Sequence, residues 1–297
     1  MATTFEIAIP LGTPHALDAA HDALDLVEAL EAQLTVYRDA SEVARLNAAA
    51  AAAPVVVEAN LFALLAHAAT LTQNTEGAFD AAMGRVIRAW GFFDRSPHVP
   101  TVADRAATMR ASGMRHVVLN AETRTVRFLR GLEINLGGIG KGYALDCVAD
   151  GLRTKWNIGS ALVSGGGSSV VGIGHPPHDG RGWPVAIRHP HDASKVLATV
   201  RLRDAALGTS AATYQQFRYK GKSYGHLLDP RTGRPAEGTA SASCVAPSGA
   251  EADALSTAFF VLGAAKSAAF VASRPPLGMV VLADDAPRAA FAGTLTT

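Results

Sequence analysis

The chain is short of cysteine, of charge of either sign in excess, and of long apolar runs, and each shortage removes a class of protein. Its two cysteines, Cys147 and Cys244, stand far apart and outside any Cys-x-x-Cys pair. A disulfide framework is excluded by count, and a structural zinc site lacks its ligand pattern, so both thiols read as buried side chains. Lys plus Arg numbers 27 against 26 for Asp plus Glu, and net charge therefore offers nothing to attract nucleic acid or an anionic membrane. No stretch approaches the ~18 uninterrupted apolar residues of a membrane helix. The opening MATTFEIAIPLG has no basic start, no long apolar core and no small-residue cleavage site of an export signal. These features predict a soluble chain without a membrane span. It is expected to work in the cytoplasm, or in the periplasm if an export signal has been removed. No internal repeat or low-complexity linker is visible.

What is present is a globular composition, 48% hydrophobic and 18% charged over 297 residues, enough for a sizeable core. Phe5, Ile7 and Ile9 alternate as in a strand. Thr13-Pro14 reads as a helix start, followed by Leu17, Leu24, Val27, Leu30 and Leu34 at helical spacing. YRDASEVARLN reads as a loop, and Asn60 as the cap of a helix running to about Thr72. HVVLN and TVRFL form a predicted hairpin, and the segment from Lys141 is helical with Leu145, Val148 and Leu152 as its stripe. ALVSGGGSSVVGIG, WPVAIRH, KVLATVRL, QQFRYKGKSY and SASCVAP supply strands. AEADALSTAFFVLG is a strong helix before the closing strands LGMVVLAD and RAAFAG. Hairpins mixed with long helices predict an α+β fold, mainly antiparallel or mixed sheets packed with helices, over a regular βαβ array.

Three motifs carry possible chemistry. GGIGKGY brings glycines and Lys141 to the start of a helix, where backbone N–H groups attract anions. It is neither a Walker A loop, which needs Ser or Thr where Gly142 stands, nor a dinucleotide fingerprint. A simple tight turn is the competing reading. Asp253 and Thr257 lie four residues apart, on one helix face. Their oxygens are hard ligands of the kind magnesium takes alongside phosphates, although Asp253 could equally serve the helix dipole. GHLLDPRTGRP places His226 and Asp229 beside an ordered turn. The histidine is a possible general base and the aspartate a possible turn former. Tyr37 could stack on an aromatic ligand or sit half-buried in the core. Asp80 and Asp146 could contact a ligand or cap a helix. His175, His178, His189 and His191 show no metal-ligand spacing and read as surface residues.

Taken in order, YRDASEVARLN, TEGAFD with WGF, INLGGIGKGYALD, ALVSGGG, Gly208-Thr209-Ser210, HLLDPRTGRP and AEADALSTAFFVLG resemble the ApbE family, the FAD:protein FMN transferases. The resemblance runs over nearly the whole length and implies one FAD-binding domain over residues 1–297. It implies FAD as substrate, Mg2+ as the metal, and an acceptor flavoprotein with a target threonine or serine as partner. By the same analogy Tyr37 packs near the flavin or adenine, Ala78, Phe79 and Asp80 form part of the FAD pocket, and Asp146 contacts the nucleotide. Asp253 and Thr257 become the side-chain metal ligands, joined by the backbone oxygen of Ala149. His226 becomes the base that activates the acceptor hydroxyl, and Lys141 the lysine of the glycine loop.

The implied chemistry suits these residue types. Cleaving a pyrophosphate needs its anionic oxygens neutralised, and the incoming hydroxyl needs a proton acceptor. The chain departs from the family pattern at AAMGR (81–85) and at SAATY (210–214), which bears on the acceptor groove or flavin edge more than on the metal pair. An FAD pyrophosphatase using water, or a non-catalytic FAD-binding or delivery protein, are the alternative readings.

Overall fold

The computed structural model describes residues 3–94, 96–212 and 216–295. Strand β1 (Phe5–Ala8) follows its alternation, and helix α1 (Ala16–Leu34) follows its apolar spacing. Thr13 does not cap that helix. Its hydroxyl donates to the Pro10 carbonyl (2.7 Å) and closes the preceding turn, and His15 takes a positive φ of 56° just before the start. The expected loop YRDASEVARLN contains α2 (Glu42–Ala49), capped by Ser41, whose hydroxyl accepts from Ala44 N (3.0 Å). So short a helix offers too few turns for periodicity to register. After β2 (Val55–Val56) comes α3 (Ala59–Asn74), whose cap is Glu58 and not Asn60; the carboxylate accepts from Asn60 N and Leu61 N.

Helices α4 (Gly84–Ala89) and α5 (Val102–Ala111) precede the hairpin β3 (Val117–Asn120) and β4 (Thr125–Phe128). Helix α6 (Gly140–Thr154) leads to β5 (Ala161–Gly165), β6 (Ser169–Ile173), β7 (Trp183–His189), β8 (Asp192–Leu202) and β9 (Ala205–Ala211). Then come β10 (Gln216–Tyr219), β11 (Lys222–Gly225), β12 (Leu228–Asp229), β13 (Arg234–Pro235) and β14 (Thr239–Ala246). The chain closes with α7 (Gly249–Ala272), β15 (Gly278–Ala283) and β16 (Ala290–Gly293).

The chain divides into two compact units. The first comprises Met1–Glu31, Ile139–Ala211 and Gly238–Thr297. It is built on a seven-stranded sheet of order β1-β5-β6-β9-β14-β15-β16, antiparallel at every pairing. Side chains alternate across a strand. Val170, Leu207 and Val280 therefore share one face, where Ile187, Val200 and Leu202 of the β7–β8 ribbon cover them. The other face carries α6 and α7. Helix α7 is long and apolar enough to cross a membrane by length and composition. Here it is a core helix, with Leu255, Phe259 and Phe260 buried and a kink at Gly263 (φ 74°, ψ 175°).

The second unit comprises Ala32–Gly138 and Ala212–Glu237. It holds a three-stranded sheet of order β2-β4-β3 with α2 to α5. Met83, Val86, Trp90 and Leu228 form a buried cluster, against which Phe217 and Tyr224 of the β10–β11 hairpin pack. Trp90 Nε1 donates to the Gly233 carbonyl (2.8 Å) and ties the turn of DPRTG to that cluster.

Candidate active site

Helices α6 and α7 cross at a pair of glycines. A Cβ on Gly142 falls 1.9 Å from the Gly249 carbonyl oxygen, and a Cβ on Gly249 falls 2.4 Å from that of Gly142. No side chain fits at either position. On the sheet side, a Cβ on Gly208 of β9 falls 2.4 Å from the Ala252 carbonyl oxygen. The glycine after Lys141 is therefore what lets the two helices touch. Both readings of GGIGKGY hold in part: residues 137–139 form a turn, and Gly140 then starts the helix that meets α7 at Gly142.

The crossing brings Asp253 to the first turn of α6. Its Oδ2 accepts the Gly142 N–H (2.7 Å), and Lys141 Nζ lies 3.7 Å from the same oxygen. Its Oδ1 accepts the Ser169 hydroxyl of β6 (2.5 Å). Asp253 is buried, at 5% exposure, and these donors stand in for the water its oxygens lose on burial. One turn further along α7, the Thr257 hydroxyl donates to the Asp253 carbonyl (3.2 Å) and lies 3.2 Å from Ser210 Oγ. Ser210 Oγ is also 2.9 Å from Ser256 Oγ. The structure thus unites Lys141, Asp253 and Thr257, and adds Ser169, Ser210 and Ser256, which sequence reasoning missed. All three lie in or beside segments that carry the family resemblance, Ser169 after ALVSGGG, Ser210 in Gly208-Thr209-Ser210 and Ser256 in AEADALSTAFFVLG, but nothing in the spacing of Ser169 and Ser210 pairs them with α7.

The donor set is one carboxylate and several hydroxyls, all hard oxygens. That fits a small divalent cation of the magnesium type, which takes one or two carboxylates and leaves its other positions to water and phosphate. A cage of several protein carboxylates or imidazoles is absent among the described residues.

Asp146, one turn into α6, returns the exchange. Its carboxylate accepts Gly249 N (2.6 Å) and Ala250 N (2.9 Å), the first N–H groups of α7. Ser248 takes Glu251 N (3.2 Å). Burial pushes the Asp146 carboxyl up to about 6; its two N–H partners pull against this and the nearby Asp253 charge adds to it. Of the two readings of Asp146, the structure displays the helix cap. Ala149 lies inside α6, where its carbonyl is a helical acceptor. It lines a cavity of about 590 Å3 with Asp146, Asp150 and Arg153, a lining that does not include Asp253 or Thr257.

The remaining candidates belong to the second unit. Ala78 and Phe79 are buried, at 0% and 3% exposure. Asp80 organises backbone: Oδ1 accepts Ala82 N (2.8 Å), and both carboxylate oxygens accept Met114 N (3.1 and 3.0 Å). Burial raises its pKa against the pull of those N–H groups. Tyr37 is 67% exposed, not a core tyrosine, and stacks on Phe93 with ring centroids 4.6 Å apart. Arg88 also sits against that ring, 3.9 Å from the Phe93 centroid. His226 is half-buried, edge-on to Phe92 at 6.5 Å. Asp229 is a turn former: it accepts Arg231 N (2.9 Å), Nε (2.9 Å) and Nη2 (3.0 Å). Of the SAATY departure, Thr213 and Tyr214 lie outside the described residues.

An antiparallel α+β fold with a cluster of hard oxygen donors at a helix crossing, gathered around the buried Asp253 carboxylate, sets the class of protein. Within that class the assignment is specific. The ApbE family model matches residues 1–281, and the chain belongs to the ApbE family. It is 35% identical to the FAD:protein FMN transferase of Treponema pallidum (strain Nichols), over 96% of this chain and 82% of that one. It is 30% identical to the FAD:protein FMN transferase of Escherichia coli (strain K12), over 90% and 78%. Among solved structures, the ApbE protein of Thermotoga maritima superposes with a TM-score of 0.88 at 26% identity, covering 98% of this chain and 94% of that one. The flavin transferase ApbE of Vibrio cholerae superposes with a TM-score of 0.81 at 27% identity, covering 100% and 94%.

Proposed function

We propose that this chain is an FAD:protein FMN transferase that moves the FMN half of FAD onto a threonine or serine hydroxyl of an acceptor flavoprotein and releases AMP. The observation that carries the reading is the set at the α6–α7 crossing, a buried Asp253 with Lys141 and Thr257 around it, in a chain whose relatives bear that name. In this reading Asp253 and Thr257 hold Mg2+. When bound, the ion neutralises and orients the diphosphate of the substrate. Lys141 supplies a further positive charge for the phosphate oxygens, and Ser169 holds Asp253 in its orientation through the hydrogen bond to Oδ1. The Ala149 backbone oxygen joins Asp253 and Thr257 as a third ligand in the same reading.

Tyr37, Ala78, Phe79, Asp80 and Asp146 make up the FAD-binding set, Tyr37 through its exposed ring and Asp146 by holding the start of α7 in place. His226 takes the proton from the acceptor hydroxyl. The hydroxyl oxygen forms a bond to the FMN phosphorus, the bridging P–O bond breaks, and AMP carries away the electron pair. Positioning and charge stabilisation carry most of such a step, the base about 100- to 10,000-fold.

The test is incubation with FAD, Mg2+ and candidate acceptor domains, read as covalent flavin fluorescence on a denaturing gel. A labelled acceptor with stoichiometric AMP is the expected result. AMP with no labelled protein against any acceptor establishes the pyrophosphatase instead, and neither product leaves a binding protein.

A further inference from the structure

Away from the helix crossing, three arginines meet at one cavity of the first unit. Arg181, Arg201 and Arg203 line a space of about 310 Å3, with Val200, Val245 and Pro276 among its apolar walls. Asp179 is the carboxylate that serves two of them. Arg181 Nε lies 3.0 Å from Asp179 Oδ1, and Arg201 Nη1 contacts Oδ2. Asp204 also lines the space; its Oδ1 accepts Arg153 Nη2 (2.6 Å) and Gly174 N (3.0 Å), and the Arg203 charge acts on it too. Arg203 donates to the Gly180 carbonyl (3.2 Å) and has no carboxylate at ion-pairing distance among the described residues. Arg201 Nε is buried without a hydrogen-bond partner among them.

Three guanidinium charges therefore meet two carboxylates, one of them shared with Arg153, and a buried N–H stands unsatisfied, a costly state for an interior donor. Guanidinium forks match the geometry of carboxylate and phosphate. The space is several times larger than a bare oxyanion needs, and its size and mixed lining are those of a small-molecule pocket of ~300 Å3 or more.

We propose that this cavity binds a small organic anion, its phosphate or carboxylate facing Arg201 and Arg203 and its apolar body against Val200, Val245 and Pro276. The site is separate from Lys141, Asp253 and Thr257 and does not rest on the flavin-transfer reading.

The experiment is calorimetric titration of the full chain with phenyl phosphate and with benzoate, alongside inorganic phosphate. One saturable site is expected for at least one organic anion, at least ~10-fold tighter than for inorganic phosphate, because the ring adds apolar burial; which of the two binds tighter identifies the head group. Arg203→Gln and, independently, Arg201→Gln each weaken that binding at least ~10-fold through loss of a charged donor, while Lys141→Gln leaves it unchanged. Absence of saturable binding by both organic anions overturns the proposal. So does binding that survives both arginine substitutions, or binding lost in Lys141→Gln, which places the anion at the helix crossing.

Discussion

Replacing Gly142 by alanine tests whether the site depends on a glycine-to-glycine helix contact. The added Cβ meets the Gly249 carbonyl oxygen at 1.9 Å, where ordinary contact begins at 3.4 Å, so α6 and α7 must separate by about 1.5 Å. That movement takes the 2.7 Å bond from Gly142 N to Asp253 out of hydrogen-bonding reach. It also strains the Asp146 bonds to Gly249 N and Ala250 N on the opposite side of the same contact. Hydrogen bonds to charged groups contribute roughly 1.5–3 kcal/mol each, so the expected loss is about 4 kcal/mol or more, at the severe end for a single substitution. Gly151 lies on the same helix, and a methyl group added there would meet nothing within 4 Å. Gly151→Ala should therefore stabilise the chain by about 0.5–1 kcal/mol through helix propensity alone. Urea denaturation followed by circular dichroism measures both. Equal stabilities for the two variants would show that the crossing yields to a methyl group and that the close contact explains nothing.

Asp253→Asn keeps the shape of the side chain but removes its charge; Mg2+-dependent flavin transfer should fall by about 100-fold or more, and undiminished turnover in the gel assay removes the metal assignment. His226→Ala should slow transfer by about 100-fold or more while FAD affinity, measured by fluorescence quenching, changes far less; equal losses make it a binding residue. Asp146, pushed up to about 6 from 3.8, keeps its proton in the native state at pH values where the unfolded chain has lost it. Its contribution to stability is therefore full below about pH 4 and is lost as pH rises through 6, a change of about 3 kcal/mol. Asp146→Asn should flatten the stability profile between pH 4 and pH 6; a profile with the wild-type slope assigns that slope to other groups.

The strands were legible where β-branched and apolar residues alternate, as in TVRFL and LGMVVLAD, and α7 was legible because it is apolar nearly all round. Strand β9 was not. Its residues AALGTSA are small and carry weak strand preference, and they are small because Gly208 lies under α7. Helix α2 was hidden by its length, and the caps at Thr13 and Asn60 were misplaced because a hydroxyl or amide beside a helix start has more than one backbone group within reach. At the site, spacing alone put Asp253 and Thr257 on one face. The meaning of Gly142 was out of reach, since its contact partner lies more than a hundred residues away, as the 111-residue separation of the Gly142–Asp253 bond shows. Local pattern reports which residues share a face but not which distant helix that face meets.

This long-range contact also decides where negative charge can be met. A helix N-terminus next to glycines invites a phosphate, and the sequence offers two such starts, at Gly140 and at Gly249. The structure uses both for its own carboxylates. Asp146 and Ser248 take the Gly249, Ala250 and Glu251 N–H groups of α7, and Asp253 takes the Gly142 N–H of α6. Each helix is thus capped by an acid from the other, and the dipole at each start is answered from within the fold. A diphosphate placed here cannot rely on those N–H groups without displacing an aspartate. Its charge has to be met by Lys141 and by a cation on Asp253 and Thr257, so a phosphate-bearing substrate should bind weakly when the metal is withheld. Titration of FAD into the chain with EDTA and then with Mg2+ measures that dependence directly, and equal affinity in the two would mean the helix starts open to receive the phosphates after all.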